Sequence, residues 1–388
     1  MKKVVLAGLG IFVLCAIMLT VWVVQILSHL PDVSVLKRYR PAVATEVLDK
    51  DGNVVTEYYD RKFRIWVPIS SLPDIAIQAV VTAEDDTFFE HQGVNYKATW
   101  DALVHDWHKK RFARGGSTIT QQMIKNVLLS KEKTISRKLR EYVLARKAEE
   151  ILTKRRILEI YLNEVEWGDN IYGIEAASRF YLDKHASELT AGEAALLAGM
   201  LPNPHYYNPF KRPEKAYGRQ ERVLTNMFQA KEITSDEYDA AVKFPPALRQ
   251  EGSNRFDFSG LKAAKGRPSY QQALEQILLR LFGDPGLYRG GWTIKTSLDK
   301  KLQEDLDRLE DASQDKASHI YEQLTIVKED NWIRAIVCSP GKESAIRDSI
   351  GSPGFFSPGY DVSTVSLDSI TREQILLPAS PQGNSAPH

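Results

Sequence analysis

Cysteine is nearly missing from this chain, with Cys15 and Cys338 the two in 388 residues. Cys15 lies in an apolar run, so a disulfide framework is excluded as the basis of the fold. No Cys/His cluster has the spacing of a zinc site. Charge is missing from one long stretch: between Lys3 and Asp32 there is no Asp, Glu, Lys or Arg. Val4 to Leu27 is about 24 residues, or roughly 36 Å as a helix, enough to cross a bilayer core. That run is too long for a signal peptide, and Gln25 to Leu30 offers no small-residue cleavage site. An uncleaved single-span anchor is expected. Lys2 and Lys3 argue for a cytoplasmic N-terminus; Lys37, Arg38 and Arg40 weaken that argument without reversing it. The bulk of the chain would then lie outside the cytoplasm.

What is present fits a folded, anchored protein. Hydrophobic residues make up 43% of the chain, so a substantial core is available and general disorder is excluded. The net charge is +1, but Lys109 to Arg156 holds fifteen Lys/Arg against four Glu, a local +11. A basic stretch of this kind is either a solvated face or a surface for anions. Nucleic acid is excluded as a partner for a domain held outside the cytoplasm. Phospholipid head groups and a phosphorylated lipid substrate fit that position.

Local signals give a coarse architecture. Thr45–Asp49 and Val54–Tyr58 flank a turn containing Gly52, a hairpin pattern. From Pro73 the signals are helical, with Ile75, Ala79 and Thr82 on one face and Glu84 near the helix end. Thr190 and Glu193 form a capping box before an apolar run that two prolines, Pro202 and Pro204, close. Further helices are predicted over Pro213–Gln229 and from Ser235. In the helix around 135–152, Ile135, Leu139, Tyr142 and Val143 form the predicted core stripe. Trp100, Leu103, Val104 and Trp107 are also at helical spacing, beside Lys109–Arg111. They read equally as a membrane-interface element or a core face.

Two segments carry the chemistry. Glu84 through Gly93 is an acidic cluster closed by His91 and Gly93. Gly115 through Gln122 is a small polar loop running into Lys125 and Asn126. Together they fit a carboxylate beside a site for a sugar or phosphate. Arg137, Lys138 and Glu141 are spaced to share one helix face. That grouping is either an exposed salt pair or a carboxylate among cations at an anionic leaving group.

At these residues the chain resembles the peptidoglycan glycosyltransferase domain (glycosyltransferase family 51), found in monofunctional transglycosylases and class A penicillin-binding proteins. The family's E-D-x-x-F-x-x-H-x-G is met by Glu84, Asp85, Phe88, His91 and Gly93. Its G-G-S-T-x-T-Q-Q is met by Gly115–Gln122, its R-K-x-x-E by Arg137, Lys138 and Glu141, and its I-L-E-x-Y-L-N by Ile157–Asn163. G-x-E-A-A is met by Gly173–Ala177, and the closing pattern by Glu193–Ala195 through Tyr207–Pro209. Departures fall at Ala148 before Glu149 and at Tyr181-Leu182-Asp183-Lys184, away from the expected catalytic groups.

The resemblance implies a mainly α, lysozyme-like two-lobed domain with a small β entry, single-pass in the bacterial inner membrane and facing the periplasm. It implies polymerisation of lipid II onto a growing glycan strand, with inversion and release of undecaprenyl diphosphate. Glu84 would be the base for the acceptor 4-hydroxyl, its pKa raised by Asp85 and Asp86. Glu141, with Arg137 and Lys138, would stand at the diphosphate and orient either those cations or a divalent ion, Mg or Mn. No other cofactor is implied. Asp85, His91, Gly116, Ser117, Thr118, Gln121, Gln122, Lys125 and Asn126 would bind substrate.

The last third reads differently. Tyr288–Asp299 resembles the linker before the transpeptidase domain of class A penicillin-binding proteins. S-x-x-K recurs at Ser130, Ser297 and Ser339, but there is no S-x-N, and Lys295-Thr296-Ser297 comes too early for K-T-G. No transpeptidase activity is expected, so a separate transpeptidase is the expected partner. The expected organisation is an anchor at 1–30, the glycosyltransferase domain at 31–245, a linker-like α+β remnant at 246–345 and a disordered tail at 346–388. Two other readings stay open, a lysozyme-like glycan hydrolase and a non-catalytic lipid II-binding scaffold.

Overall fold

The computed structural model describes residues 2–97, 99–100, 116–130, 132, 134–250, 269–296 and 298, with strands at 324–329, 332–338 and 376–377. Gly115, Leu103–Trp107, Lys109–Arg111 and nearly all of 346–388 lie outside the described residues. Helix α1 (Lys2–Ser28) is long and apolar enough to cross a membrane. From Leu9 to Val24 its apolar side chains are mostly exposed, the opposite of a core helix.

A hairpin follows, β1 (Thr45–Leu48) antiparallel to β2 (Val54–Tyr58), with Thr45 opposite Tyr58. Its turn is closed by Asp49, whose Oδ1 accepts from the backbone of Asp51 and Asn53 at 2.9 and 2.8 Å, an Asx turn. β3 (Phe63–Arg64) pairs in parallel with β4 (Ile171–Tyr172). β5 (Thr293–Lys295) lies parallel to β1, and β8 (Leu376–Leu377) antiparallel to β5. A segment from beyond residue 290 therefore completes the sheet begun by the hairpin. β6 (Leu324–Glu329) and β7 (Trp332–Cys338) form a separate antiparallel pair.

Helices dominate the rest: α2 (Asp74–Glu84), α3 (Ile119–Leu128), α4 (Ile135–Ile151), α5 (Lys154–Glu164), α6 (Ile174–Leu182), α7 (Ala191–Met200), α8 (Pro213–Gln229), α9 (Ser235–Lys243) and α10 (Ser269–Arg289). The architecture is mainly α with a small β entry. α7 is apolar on all sides and almost wholly buried, so it forms the centre of the core. α2 and α8 pack on it. α2 buries Ala76, Ile77, Ala79, Val80 and Val81, so the helix carrying Glu84 is held firmly. α3 packs on both α4 and α5, which brings the second half of the site to the first.

The core face of α4 is not the predicted one. Ile135 is 80% exposed, whereas Glu141, Leu144, Ala145 and Ala148 are buried. A carboxylate takes a core position because Arg137 and Lys138 neutralise it there.

Candidate active site

Glu84 is the last residue of α2. Asp85 leaves helical geometry (φ −164°, ψ 72°) because its carboxylate is drawn elsewhere. Its Oδ2 accepts from the backbone N–H of Ile119 at 2.9 Å, at the start of α3. Both of its oxygens lie 3.0 Å from His91 Nε2. A carboxylate at a helix N-terminus satisfies an otherwise unpaired donor and complements the helix dipole. Asp85 and His91, expected to bind substrate, thus tie α2 to α3. Their partner Phe88 is fully buried, with Lys154 Nζ 4.3 Å above its ring. Lys154 also donates to the His91 carbonyl at 2.6 Å and pairs with Glu149 at 2.8 Å. At Gly93 (φ +82°) a Cβ would stand 2.7 Å from the Ala145 carbonyl oxygen. Glycine is required there for α4 to approach.

Glu84 itself is set apart. Its Oε2 accepts from Gln122 Nε2 at 2.7 Å, and Gln122 Oε1 accepts from the Tyr161 hydroxyl at 3.3 Å. Burial pushes the Glu84 pKa up. The Gln122 hydrogen bond and the charges of Arg219 and Lys125 pull it back, and Asp85 adds a small upward push. The expected repulsion thus comes from Asp85 and not Asp86, and it is the smallest of these effects. Desolvation is the leading cause, and Asp86 points to solvent as an exposed residue.

The polar loop divides its work. Thr118 caps α3: its hydroxyl donates to Gly93 O at 2.6 Å and accepts from Gln121 N at 3.1 Å. Gln121 Oε1 accepts from Thr118 N at 3.0 Å, completing a capping box. Thr118 and Gln121 are buried at 2% and 0% exposure, so they build the helix start and present no surface to a ligand. Gly116 O accepts from Thr99 Oγ1 at 3.4 Å. Ser117 Oγ accepts from Lys138 Nζ at 2.7 Å, which joins the loop to α4.

The second carboxylate has the opposite environment. Glu141 is 2% exposed, with Arg137 Nε 2.9 Å from Oε1 and Lys138 Nζ 3.0 Å from Oε2. Lys125 lies in the field of both carboxylates. Burial and the neighbouring Arg137 and Lys138 lower its pKa, and Glu141 and Glu84 raise it, with a net decrease. Asn126 is exposed beside it on α3. The structure thus brings Glu84, Gln122, Lys125, Ser117, Arg137, Lys138 and Glu141 into one chain of contacts and fields.

A divalent ion is tested by these donors. Both Glu141 oxygens already face cations, and no cluster of three or more His, Cys, Asp or Glu suited to a metal occurs among the described residues. Magnesium usually keeps several waters and binds through one or two carboxylates plus substrate phosphates, so these protein donors by themselves form no closed cage for it. The described residues hold no preformed all-protein metal site.

Sequence reading missed Arg219 on α8. It contributes to the field on Glu84, and its Nε is buried with no hydrogen-bond partner. Its one local signal is its place beside buried Gln220 on an amphipathic helix. A separate cavity of about 820 Å³, lined partly by Ile75, Gln78, Glu193, Glu232 and Phe244, involves none of the carboxylate site.

The arrangement defines a site with one carboxylate held ready for a proton and a second embedded among cations. Residues 51–228 match the transglycosylase family model. The chain is 35% identical over 317 residues to penicillin-binding protein 1A of Aquifex aeolicus, covering 80% of this chain and 42% of that relative. It is 33% identical over 300 residues to penicillin-binding protein 1A of Rickettsia prowazekii, covering 76% of this chain and 37% of the relative. The crystal structure of penicillin-binding protein 1A from Haemophilus influenzae shows 21% identity and a TM-score of 0.36, covering 76% of this chain and 33% of that one. The chain spans less than half the length of these relatives.

Proposed function

We propose that this protein is a membrane-anchored peptidoglycan glycosyltransferase that joins lipid II units into glycan strands. The observation that carries the reading is the contrast between the two carboxylates. Glu84 is desolvated and holds its proton more tightly than an ordinary carboxyl, as a general base needs. Glu141 holds Arg137 and Lys138 in place, where a leaving diphosphate needs neutralisation.

In this mechanism Glu84 takes the proton of the acceptor's 4-hydroxyl as its oxygen attacks the donor's anomeric carbon. The bond from that carbon to the diphosphate oxygen breaks on the opposite face, which inverts the centre. The electron pair leaves with undecaprenyl diphosphate, whose charge Lys125, Arg137 and Lys138 receive. A diphosphate needs no proton to depart, so one base and a set of cations suffice. The long apolar α1 supports a single-pass position in the bacterial inner membrane, and Lys2 and Lys3 support a domain on its periplasmic side.

The test is polymer formation from labelled lipid II by the purified full chain. Polymer is expected, and its loss in Glu84→Gln by at least about a hundredfold. Shortening of preformed glycan without polymer would replace the proposal with a hydrolase. Binding of lipid II without turnover would replace it with a scaffold.

A further inference from the structure

The segment joining α1 to the first strand is fastened to the domain at several points. Asp32 caps a short 3₁₀ turn, Val33–Arg38, its Oδ1 accepting from Ser34 N at 2.8 Å. Leu36 in that turn is fully buried, and the turn packs on α4, the helix bearing Arg137, Lys138 and Glu141. Leu30 and Val33 pack against the same core, and Ile26 near the end of α1 is buried.

Tyr39 provides the next attachment. Its hydroxyl donates to Glu164 Oε1 at 2.6 Å, and its carbonyl accepts from Arg156 Nη2 at 2.9 Å. Burial and the Glu164 charge raise its pKa, so the hydroxyl stays a donor. Arg64 pairs with the other Glu164 oxygen at 2.9 Å and donates to Ala42 O at 2.9 Å. Thus anchor exit, α4 and α5 form one assembly. A free tether of this length would span roughly 55 Å when extended and leave the domain at no fixed height. Ordering it costs backbone entropy, which burial of Leu36 and the Glu164 network offset.

We propose that Leu36 and Tyr39 are positioning residues that clamp the membrane anchor to α4 and so fix the height of the Glu141 cation site above the bilayer. The inference rests on the anchored glycosyltransferase reading. The diphosphate of a lipid-linked donor lies at head-group depth, so the cations must meet it there. A donor free of the bilayer sets no such demand. An error of about 1 Å in placement can cost on the order of a hundredfold in rate.

The experiment uses the full chain in phospholipid vesicles, with Leu36→Ala and the milder Tyr39→Phe. Polymerisation of bilayer-embedded lipid II is expected to fall about tenfold in each. Turnover of a short-chain, water-soluble donor in detergent is expected to stay within about twofold of the parent. A spin label at Ser136→Cys, in a Cys15→Ala background, reports depth independently of activity. With Cys338→Ser added to that background so that the label sits at position 136 alone, it should give one narrow depth in the parent and a broadened distribution in each variant. Equal loss on both donors would make the residues merely structural and overturn the proposal. So would an unchanged depth distribution, whatever the rates. If the parent makes no polymer from either donor, the proposed activity fails, while the label depth still decides the clamp.

Discussion

Gln122 donates to Glu84 at 2.7 Å while accepting from Tyr161 at 3.3 Å, so the candidate base is oriented by a relay from α3 and α5. The acceptor side of Gln122 is fixed by the Tyr161 hydroxyl, whose pKa burial raises well above that of a free phenol. Gln122 thus has its amide N–H aimed at the carboxyl and its carbonyl occupied.

Removing that relay should show in a pH profile. The Gln122 hydrogen bond lowers the Glu84 pKa against the upward push of burial. In Gln122→Ala the pKa should rise further. The base must be ionised to act, so the acidic limb of kcat/KM should move to higher pH, with kcat reduced about 10–100-fold. The profile of polymerisation rate against pH checks this. A limb that stays put would separate Gln122 from the base.

Burial of Glu84 also has a consequence for stability. A carboxyl whose pKa is raised by folding binds its proton more tightly in the folded chain. Its stabilising contribution is complete below the unfolded value and is lost as pH rises through the raised folded value. Glu84→Gln keeps the shape without the charge. It should melt about 2–4 °C above the parent near pH 8, with the difference shrinking toward about pH 4. Melting curves in detergent across that range check the sign. An inactive variant with higher stability is the pattern of a residue kept for chemistry.

Local signals in the sequence reached far here, because caps and turns are local physics. Thr190 with Glu193 and the hairpin around Gly52 stand where the spacing put them. Glu84 does end its helix. The α4 face was misread because periodicity sends a glutamate outward, whereas Arg137 and Lys138 let Glu141 enter the core. The work of Asp85 was hidden for a different reason. Its partner, the Ile119 N–H, lies 34 positions away, and tertiary folding alone brings them together. The same holds for Arg219 on α8 and its field at Glu84.

Gly93 offers a test of how tightly the two halves of the site are joined. Its backbone has φ +82°, and an added Cβ would meet the Ala145 carbonyl oxygen at 2.7 Å and carbon at 2.8 Å. Those atoms belong to the α4 backbone and cannot rotate aside as a side chain would. Gly93 O also accepts from Thr118 Oγ1 at 2.6 Å, so a shift here disturbs the start of α3 as well. Gly93→Ala should therefore cost about 3 kcal/mol through strain and overpacking together. Rate should fall beyond what lost folded protein explains, because Glu141 moves with α4 while Glu84 stays on α2. Denaturant unfolding and polymerisation per folded molecule measure the two effects separately. Full activity per folded molecule would mean that the approach of α4 to Gly93 serves stability alone.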